Sequence, residues 1–144
     1  MMFKSKNSRM LLGSLLLVFL GLAFAFGYMY YKPHPKASGK PADFIVTAQE
    51  FLKSYTEDEA AADAKYLDKI IEVKGLIKQI SPADDGSMTI TLGDKSEIGG
   101  VSAALLQTET EKIKNLKVGD KVTIKGFCSG YLMDVIMVKC MINE

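Results

Sequence analysis

The sequence lacks the side chains on which most acid–base and nucleophilic catalysis depends. It contains no tryptophan, two cysteines and one histidine, His34, which lies between two prolines. Residues 43–144 therefore offer no histidine to pair with a serine, threonine or cysteine, and no glycine-rich phosphate loop is present. Adjacent carboxylates such as Asp84 and Asp85 occur in a turn, where they usually serve solvation. The sequence predicts a protein that is not an enzyme and uses no cofactor.

Arginine is also scarce, because Arg9 is the only one in the chain. All seventeen acidic residues lie at or after Asp43, and so do only twelve of the basic residues. Residues 43–144 therefore carry a net charge of about −5. A surface that follows phosphates needs the opposite sign, so the charge predicts that nucleic acid is not the partner.

Charge is absent altogether from residues 10–31, MLLGSLLLVFLGLAFAFGYMYY. A helix of this length spans roughly 33 Å, slightly more than the roughly 30 Å hydrocarbon core of a bilayer. A basic tail at residues 1–9 precedes the run, and tyrosines at its end match an aromatic belt. The sequence predicts a single-pass transmembrane anchor in the cell (inner) membrane. The N-terminus would be cytoplasmic, and the rest of the chain would lie on the extracytoplasmic or periplasmic side.

A cleaved signal peptide is the main alternative to this anchor. The segment Ala23-Phe24-Ala25 has the small-x-small pattern of a cleavage site. The apolar run is longer than the roughly 7–15 residues usual in a signal peptide, which favours an uncleaved signal-anchor. Orientation also leaves an alternative open, because lysines follow the run as well as precede it. A lipoprotein is excluded, since the first cysteine is Cys128.

The rest of the chain divides into a linker and one domain. Residues 32–42 hold three prolines and three lysines and are typical of an extended spacer. Residues 43–144 are enough for one domain with a single core. Within it we expect a helical lead-in over residues 43–69 and a β domain over residues 70–144.

Three capping boxes predict helix starts in this domain. The first, TAQE at residues 47–50, is flanked by Val46 and Phe51 at the positions of a hydrophobic staple. It predicts a helix that begins at Ala48. Similar boxes at residues 56–59 and 108–111 predict a second short helix in the lead-in and a third of barely two turns further on.

Five segments show the alternation of β-strands, at residues 71–80, 88–92, 98–105, 122–128 and 136–142. In the last segment, the alternation places Ile136, Val138, Cys140 and Ile142 on one face. The order is strand, strand, strand, short helix, strand, strand. This is the order of the OB-fold, a five-stranded Greek-key barrel. We therefore predict a mostly β domain of the form β-β-β-α-β-β, preceded by two short helices and the transmembrane helix.

Three segments also carry a resemblance to a known family: YLDKIIEVKG at residues 66–75, LKVGDKVTIKG at 116–126 and CSGYLMDV at 128–135. Together they resemble the bacterial OB domains called tRNA-anticodon-binding-like, over roughly residues 58–142. The family name refers to fold likeness, so the resemblance does not imply that tRNA is bound. It does imply an OB domain behind an N-terminal hydrophobic segment, which many members have.

The predicted fold keeps the two cysteines apart. A hairpin of the last two strands would place Cys128 opposite Ile136 and Cys140 opposite Ile124. The cysteines would then lie roughly 13 Å apart along the ladder, whereas a disulfide needs Cα atoms within about 7 Å. We therefore predict that both thiols are free and buried. No metal site is predicted, because neither a second histidine nor a Cys-x-x-Cys motif is present.

The candidate binding surface is the loop of the last hairpin. The second and third predicted strands contain no aromatic residue, so stacking platforms for bases are missing there. The predicted ligand-binding residues are Phe127, Tyr131, Leu132, Met133 and Asp134. The sequence thus favours a membrane-anchored binding or assembly module for a protein or a small neutral ligand. The alternative is a single-stranded nucleic-acid-binding protein. It also stays open whether Leu132 and Met133 merely cap the barrel.

Overall fold

The computed structural model describes residues 6–30, 37 and 39–143. The chain forms two compact units that divide after residue 35. In the first unit, helix α1 (Lys6–Tyr30) covers most of the uncharged run. Among the described residues, no helix combines the length and the hydropathy needed to cross a membrane. The predicted transmembrane anchor is therefore not supported there. The start of the predicted tail and much of the predicted linker, with His34, lie outside the described residues.

The second unit begins with strand β1 (Phe44–Thr47) and helix α2 (Ala48–Glu57). The capping box predicted for α2 is confirmed. The Glu50 N–H donates to Thr47 Oγ1 at 3.2 Å, and the Thr47 N–H donates to Glu50 Oε2 at 3.1 Å. These two bonds satisfy backbone donors that the first helical turn leaves free, which fixes the start of α2 at Ala48.

Helix α3 (Glu59–Tyr66) follows after one residue, and its predicted start at Thr56 is wrong. The N-cap is Asp58, whose Oδ1 accepts the Ala61 N–H at 3.0 Å. The Thr56 hydroxyl instead donates to the Lys53 carbonyl inside α2. Aspartate is among the strongest N-cap residues, and its charge complements the helix dipole, so it caps α3 in place of Thr56.

Five further strands form the barrel: β2 (Ile70–Pro82), β3 (Met88–Leu92), β4 (Val101–Leu105), β5 (Lys121–Leu132) and β6 (Asp134–Asn143). Their order is β2-β3-β4-β6-β5, and β5 pairs with β2 to close the ring. The pair β4–β6 is parallel and the other barrel pairs are antiparallel. A closed five-stranded barrel with a short helix between its third and fourth strands has the OB-type order. The mostly β class is confirmed.

The short connection between β4 and β5 differs from the prediction at its start. A 3-10 turn, Gln107–Glu109, leads into helix α4 (Thr110–Ile113), and no side chain caps either. The capping box predicted at residues 108–111 is therefore wrong. The Glu109 side chain turns inward and accepts the Ile142 N–H at 3.1 Å. A contact with β6 thus replaces a local cap.

Strand β1 was not predicted, because residues 43–69 were expected to be helical. It runs parallel to the first half of β2, with Phe44 opposite Ile71 and Thr47 opposite Lys74. Helices α2 and α3 form the crossover that a parallel pair requires. A four-residue strand gives little periodicity in the sequence, so its pairing with β2 decides its conformation.

The predicted inward face of β6 is partly wrong. Val135, Met137, Cys140 and Ile142 are buried, whereas Ile136 and Val138 are only half-buried. Lys139 has a positive φ of 52° and is the extra residue of a β-bulge, because the ladder passes from Lys125–Met141 to Phe127–Val138. One inserted residue reverses the alternation of every side chain before it.

The same bulge, with a second one at Ser129, overturns the predicted cysteine register. Cys128 lies opposite Met137, not Ile136, and Ile124 lies opposite Ile142, not Cys140. Both thiols are buried and free in the structure. The third strand is also shorter than predicted, since β4 begins at Val101 and not at residue 98.

The core fills the barrel and continues beneath α2 and α3. Its largest fully buried side chains are Tyr55, Phe51, Ile71, Ile77, Ile90, Leu92, Ile124 and Met137. Phe51 and Tyr55 come from α2, and the others come from strands. The helical lead-in therefore belongs to the same core as the barrel.

Candidate functional site

The hairpin tip is a strongly exposed apolar part of the domain. We use this name for Leu132 and Met133, which join β5 to β6 and are 81% and 76% exposed. Met133 has a positive φ of 67°, so the backbone makes a tight turn there. With such exposure these side chains do not close the end of the barrel, and burial in the core does not explain them.

The connection between β3 and β4 lies against this tip. The Val135 N–H donates to the Gly100 carbonyl at 2.9 Å. A β-carbon placed on Gly99 would lie 2.6 Å from the Met133 carbonyl oxygen, so only glycine allows this approach. The residue before Gly99, Ile98, is 91% exposed. Two loops therefore present large apolar side chains at one end of the barrel.

Lys78 on β2 also holds the β3–β4 connection, through hydrogen bonds to two of its carbonyl groups. Its Nζ donates to the Glu97 carbonyl at 2.7 Å and to the Gly99 carbonyl at 2.9 Å. Hydrogen bonds from a charged donor are stronger than neutral ones. The connection is thus held in one position although it contains glycines.

The remaining predicted site residues lie further from solvent. The Tyr131 ring stacks on the Tyr55 ring, with centroids 5.6 Å apart and planes at 20°. One face of Tyr131 is therefore unavailable as a platform for a ligand. Phe127 lies opposite Val138 and is half-buried, and Asp134 is half-buried at the start of β6. The structure thus groups Tyr131, Leu132, Met133 and Asp134, while Phe127 lies lower on β5.

An aromatic cluster between the helices and the barrel was not foreseen from the sequence. Phe51 meets Tyr66 edge-on at 5.0 Å and Tyr55 at 5.8 Å, and Phe44 meets Tyr66 at 5.2 Å. The spacing of Phe51 and Tyr55 on one helix face is the signal that could have indicated it. Such pairs stabilise by about 0.5–1.5 kcal/mol each beyond burial. The cluster holds α2 and α3 against the barrel.

The outer face of β3 and β4 is uncharged. On these strands Thr89 and Thr91 alternate with buried residues, and they lie opposite Ala104 and Ser102 respectively. On the adjoining part of β2, Gln79 and Ser81 lie opposite Thr91 and Thr89. No charged or aromatic side chain belongs to these positions of β3 and β4. The face offers hydroxyl and methyl groups only.

Cys128 is the one thiol with a polar neighbour in the described part of the chain. Its Sγ shares a hydrogen bond with the Tyr55 hydroxyl at 3.2 Å. Burial raises the pKa of the Cys128 thiol, and burial together with this bond raises the pKa of Tyr55. A protonated, buried thiol is a poor nucleophile. The pair is therefore a buried, hydrogen-bonded contact of the core. No group of metal-ligating side chains occurs among the described residues.

Comparisons with known proteins agree with this architecture. The tRNA_anti-like family model matches residues 1–142. A lipoprotein of Klebsiella pneumoniae presumed to bind nucleic acid is 19% identical, with a TM-score of 0.59 over 73% of this chain and 100% of that one. At this identity the likeness shows the fold alone. No curated protein matches the sequence.

Two further solved structures are more distant. The Stn1–Ten1 complex of S. pombe is 15% identical over 52% of this chain and 58% of that chain, with a TM-score of 0.41. Asparaginyl-tRNA synthetase of Entamoeba histolytica is 22% identical over 56% of this chain and 22% of its own, with a TM-score of 0.42. Likenesses of this size carry no argument about function.

Proposed function

Because the chain belongs to the tRNA_anti-like family and closes an OB-type barrel, we propose that it is a binding or assembly module for a protein segment or a small neutral ligand. The observation that carries this proposal is the uncharged outer face of β3 and β4. OB-folds bind ligands on that face and with the loops beside it. Hydroxyl and methyl groups suit neutral or apolar partners better than phosphates.

Single-stranded nucleic acid is the second candidate ligand. Its support is the Klebsiella lipoprotein, which shares the fold and is presumed to bind nucleic acid. The two usual sources of affinity for single strands are cationic grooves and aromatic platforms. Residues 43–144 have a net charge of about −5, and the outer face of β3 and β4 has no aromatic side chain. We therefore rank this candidate second.

A fluorescence-anisotropy titration of residues 43–144 with short labelled oligonucleotides separates the two candidates. We expect dissociation constants no tighter than about 1 mM at physiological salt, weaker than the roughly 10⁻⁴–10⁻⁶ M of non-specific binding by basic proteins. The matched variant Thr91→Lys with Ser102→Lys adds two cations to the face and should gain measurable, salt-sensitive binding. A micromolar constant for the unaltered domain, lost on added salt, would promote the second candidate.

Photo-crosslinking in intact cells tests the protein partner directly. A photoreactive residue at Met133 should crosslink to a protein, and one at Ile45, which is exposed on β1 away from the tip, should not. Replacing Leu132 and Thr91 by charged residues should reduce the yield from Met133 severalfold. Equal yields at Met133 and Ile45 would argue against the tip as the binding surface.

We also propose that residues 10–31 anchor the chain in the cell membrane with residues 43–144 on the extracytoplasmic side. The support is the uncharged run of residues 10–31 in the sequence. The basic tail before the run favours a cytoplasmic N-terminus. A cleaved signal peptide would give the same location for the domain without the anchor.

A further inference from the structure

We propose that Met133 is an oxidation-sensitive residue, and that its conversion to methionine sulfoxide by a peroxide weakens binding at the hairpin tip. This inference rests on the proposed function, because it specifies how binding at that surface is regulated. The surface concerned is formed by the tip itself and by Ile98 on the adjacent β3–β4 connection.

Exposure distinguishes Met133 from the other methionines of the domain. Residues 43–144 contain four methionines. Met133 is 76% exposed, whereas Met137 on β6 is fully buried. Met88 and Met141 are half-buried. A peroxide must reach the sulfur atom to oxidise it, so the side chain that lies largely in solvent reacts first.

The fold does not account for a methionine at this position. The φ of Met133, 67°, lies in the left-handed region, where glycine is favoured and a bulky side chain is strained. The Met133 carbonyl oxygen lies against Gly99, and the Val135 N–H donates to the Gly100 carbonyl at 2.9 Å. These contacts hold the backbone of the turn and keep the Met133 side chain outside the core. Its polarity can therefore change without disturbing the fold.

The oxidation itself is a two-electron oxygen transfer. With hydrogen peroxide, a sulfur lone pair attacks one peroxide oxygen, and the S–O bond forms as the O–O bond breaks. The second oxygen takes up the proton of the first and leaves as water. Sulfur loses two electrons, and the peroxide gains them. The product is polar and chiral, and methionine sulfoxide reductases restore the thioether.

The change in polarity acts on whatever the tip binds. A partner that covers Leu132, Met133 and Ile98 with apolar side chains removes apolar surface from water, which favours the complex. Such side chains donate no hydrogen bond to a sulfoxide oxygen, so burying that oxygen is unfavourable. Oxidised Met133 should therefore release an apolar partner, and reduction should restore binding.

Peroxide treatment of the full chain in mild detergent tests the selectivity. Cleavage before Asp134 separates Met133 from Met137, and fragment mass spectra then assign each added oxygen. Met133 should oxidise roughly tenfold faster than Met137, because Met137 reacts only after the core opens. Methionine sulfoxide reductases should remove the oxygen, which distinguishes it from over-oxidation at Cys128. Equal rates at Met133 and Met137 would overturn the inference.

Photo-crosslinking from Ile98 in intact cells measures the effect on binding. Peroxide should lower the crosslink yield severalfold in the natural sequence and equally in the control Met141→Leu. In Met133→Leu, which keeps an apolar side chain without sulfur, peroxide should leave the yield of that variant unchanged. This comparison also excludes oxidation of the partner as the cause. Met133→Gln, polar and neutral like the sulfoxide, should lower the yield without peroxide.

Thermal unfolding shows whether these effects concern binding or folding. Met133→Gln should unfold at nearly the same temperature as the natural sequence, because Met133 is outside the core. A large loss of stability would overturn the inference, as would a peroxide effect that persists in Met133→Leu. In the latter case the crosslink from Ile98 would still support the proposed function. If no crosslink forms in the untreated natural sequence, a protein partner at the tip is rejected together with its regulation.

Discussion

At the residue scale, Gly126 on β5 and Cys140 on β6 pack closely against each other. A β-carbon on Gly126 would overlap the Cys140 sulfur and would also lie 3.0 Å from the Val138 carbonyl oxygen. Gly126→Ala should therefore lower the free energy of unfolding by about 1–3 kcal/mol through overpacking. Urea denaturation followed by circular dichroism measures this change.

The control for this prediction is to make the same substitution, Gly126→Ala, in a Cys140→Ala variant that lacks the sulfur. Introduced into this background, Gly126→Ala should cost less than it does in the natural sequence, because part of the overlap is gone. A double-mutant cycle gives the difference as an interaction energy. Strictly additive losses would show that the sulfur and the glycine are not in contact.

The buried thiols make the stability of the domain depend on alkaline pH. Burial raises the pKa of Cys140, whereas a thiol in the unfolded chain has a pKa of about 8.5. The stabilisation is complete below that value and is lost as pH rises, because the unfolded state releases the proton first. Between pH 9 and 10, the decline per pH unit should be about 1 kcal/mol smaller in Cys140→Ala than in the natural sequence. Parallel slopes in chemical denaturation would contradict a buried, protonated Cys140.

Single residues of the candidate site were predictable where local pattern determines exposure. Leu132 and Met133 were predicted as surface residues because they lie in the loop of the last hairpin, and both are exposed. The stacking of Tyr131 on Tyr55 was not predictable, because it depends on where α2 docks. The hydrogen bond from Lys78 to the Glu97 carbonyl was not predictable either, because it depends on how β2 packs against the β3–β4 connection.

At the scale of elements, the side chains of Glu109 and Lys112 together bind the backbone at the end of β6. Glu109 is buried, accepts the Ile142 N–H and pairs with Lys112 Nζ at 3.1 Å. Lys112 Nζ in turn donates to the Ile142 carbonyl at 3.2 Å. The two side chains thus satisfy both backbone groups of a residue beyond the last β4–β6 pair.

Loss of the Glu109 side chain should loosen the last residues of β6. Glu109→Ala leaves a backbone donor and a lysine without their partner, so we expect a loss of about 2–3 kcal/mol in the free energy of unfolding. Amide exchange at Ile142 should accelerate in parallel. Glu111→Ala is the control, because its ion pair with Lys114 is exposed and should be worth less than about 1 kcal/mol. Equal losses for the two variants would show that burial of Glu109 is unimportant.

The elements themselves were largely predictable, and their faces less so. Alternation and turn residues located five barrel strands, and the box at residues 47–50 located α2. The prediction of the inward face of β6 failed because nothing in the sequence indicates the positive φ of the bulge residue, Lys139. Strand β1 was missed because four residues are too few to show a periodic pattern. In both cases the partner strand determines the conformation.

At the scale of the whole molecule, the proposed location has a direct test. Protease added to intact spheroplasts should digest residues 43–144 if they lie outside the cytoplasm. A fragment containing residues 10–31 should stay in the membrane if the segment is an uncleaved anchor, and should be missing if a signal peptidase removed it. Digestion only after lysis would show that the orientation is wrong.

Barrel closure has a further consequence for copies of the protein that meet at high local concentration. Each barrel strand has a partner on both sides, and β1 alone among the described strands pairs with one neighbour. That open edge is four residues long and passes directly into α2. Long unpaired edges are the usual route to edge-to-edge aggregation. Crowded copies of this domain therefore meet only short stretches of free backbone, at β1 and at residues 78–82 of β2 and 128–132 of β5, which pair on one side only.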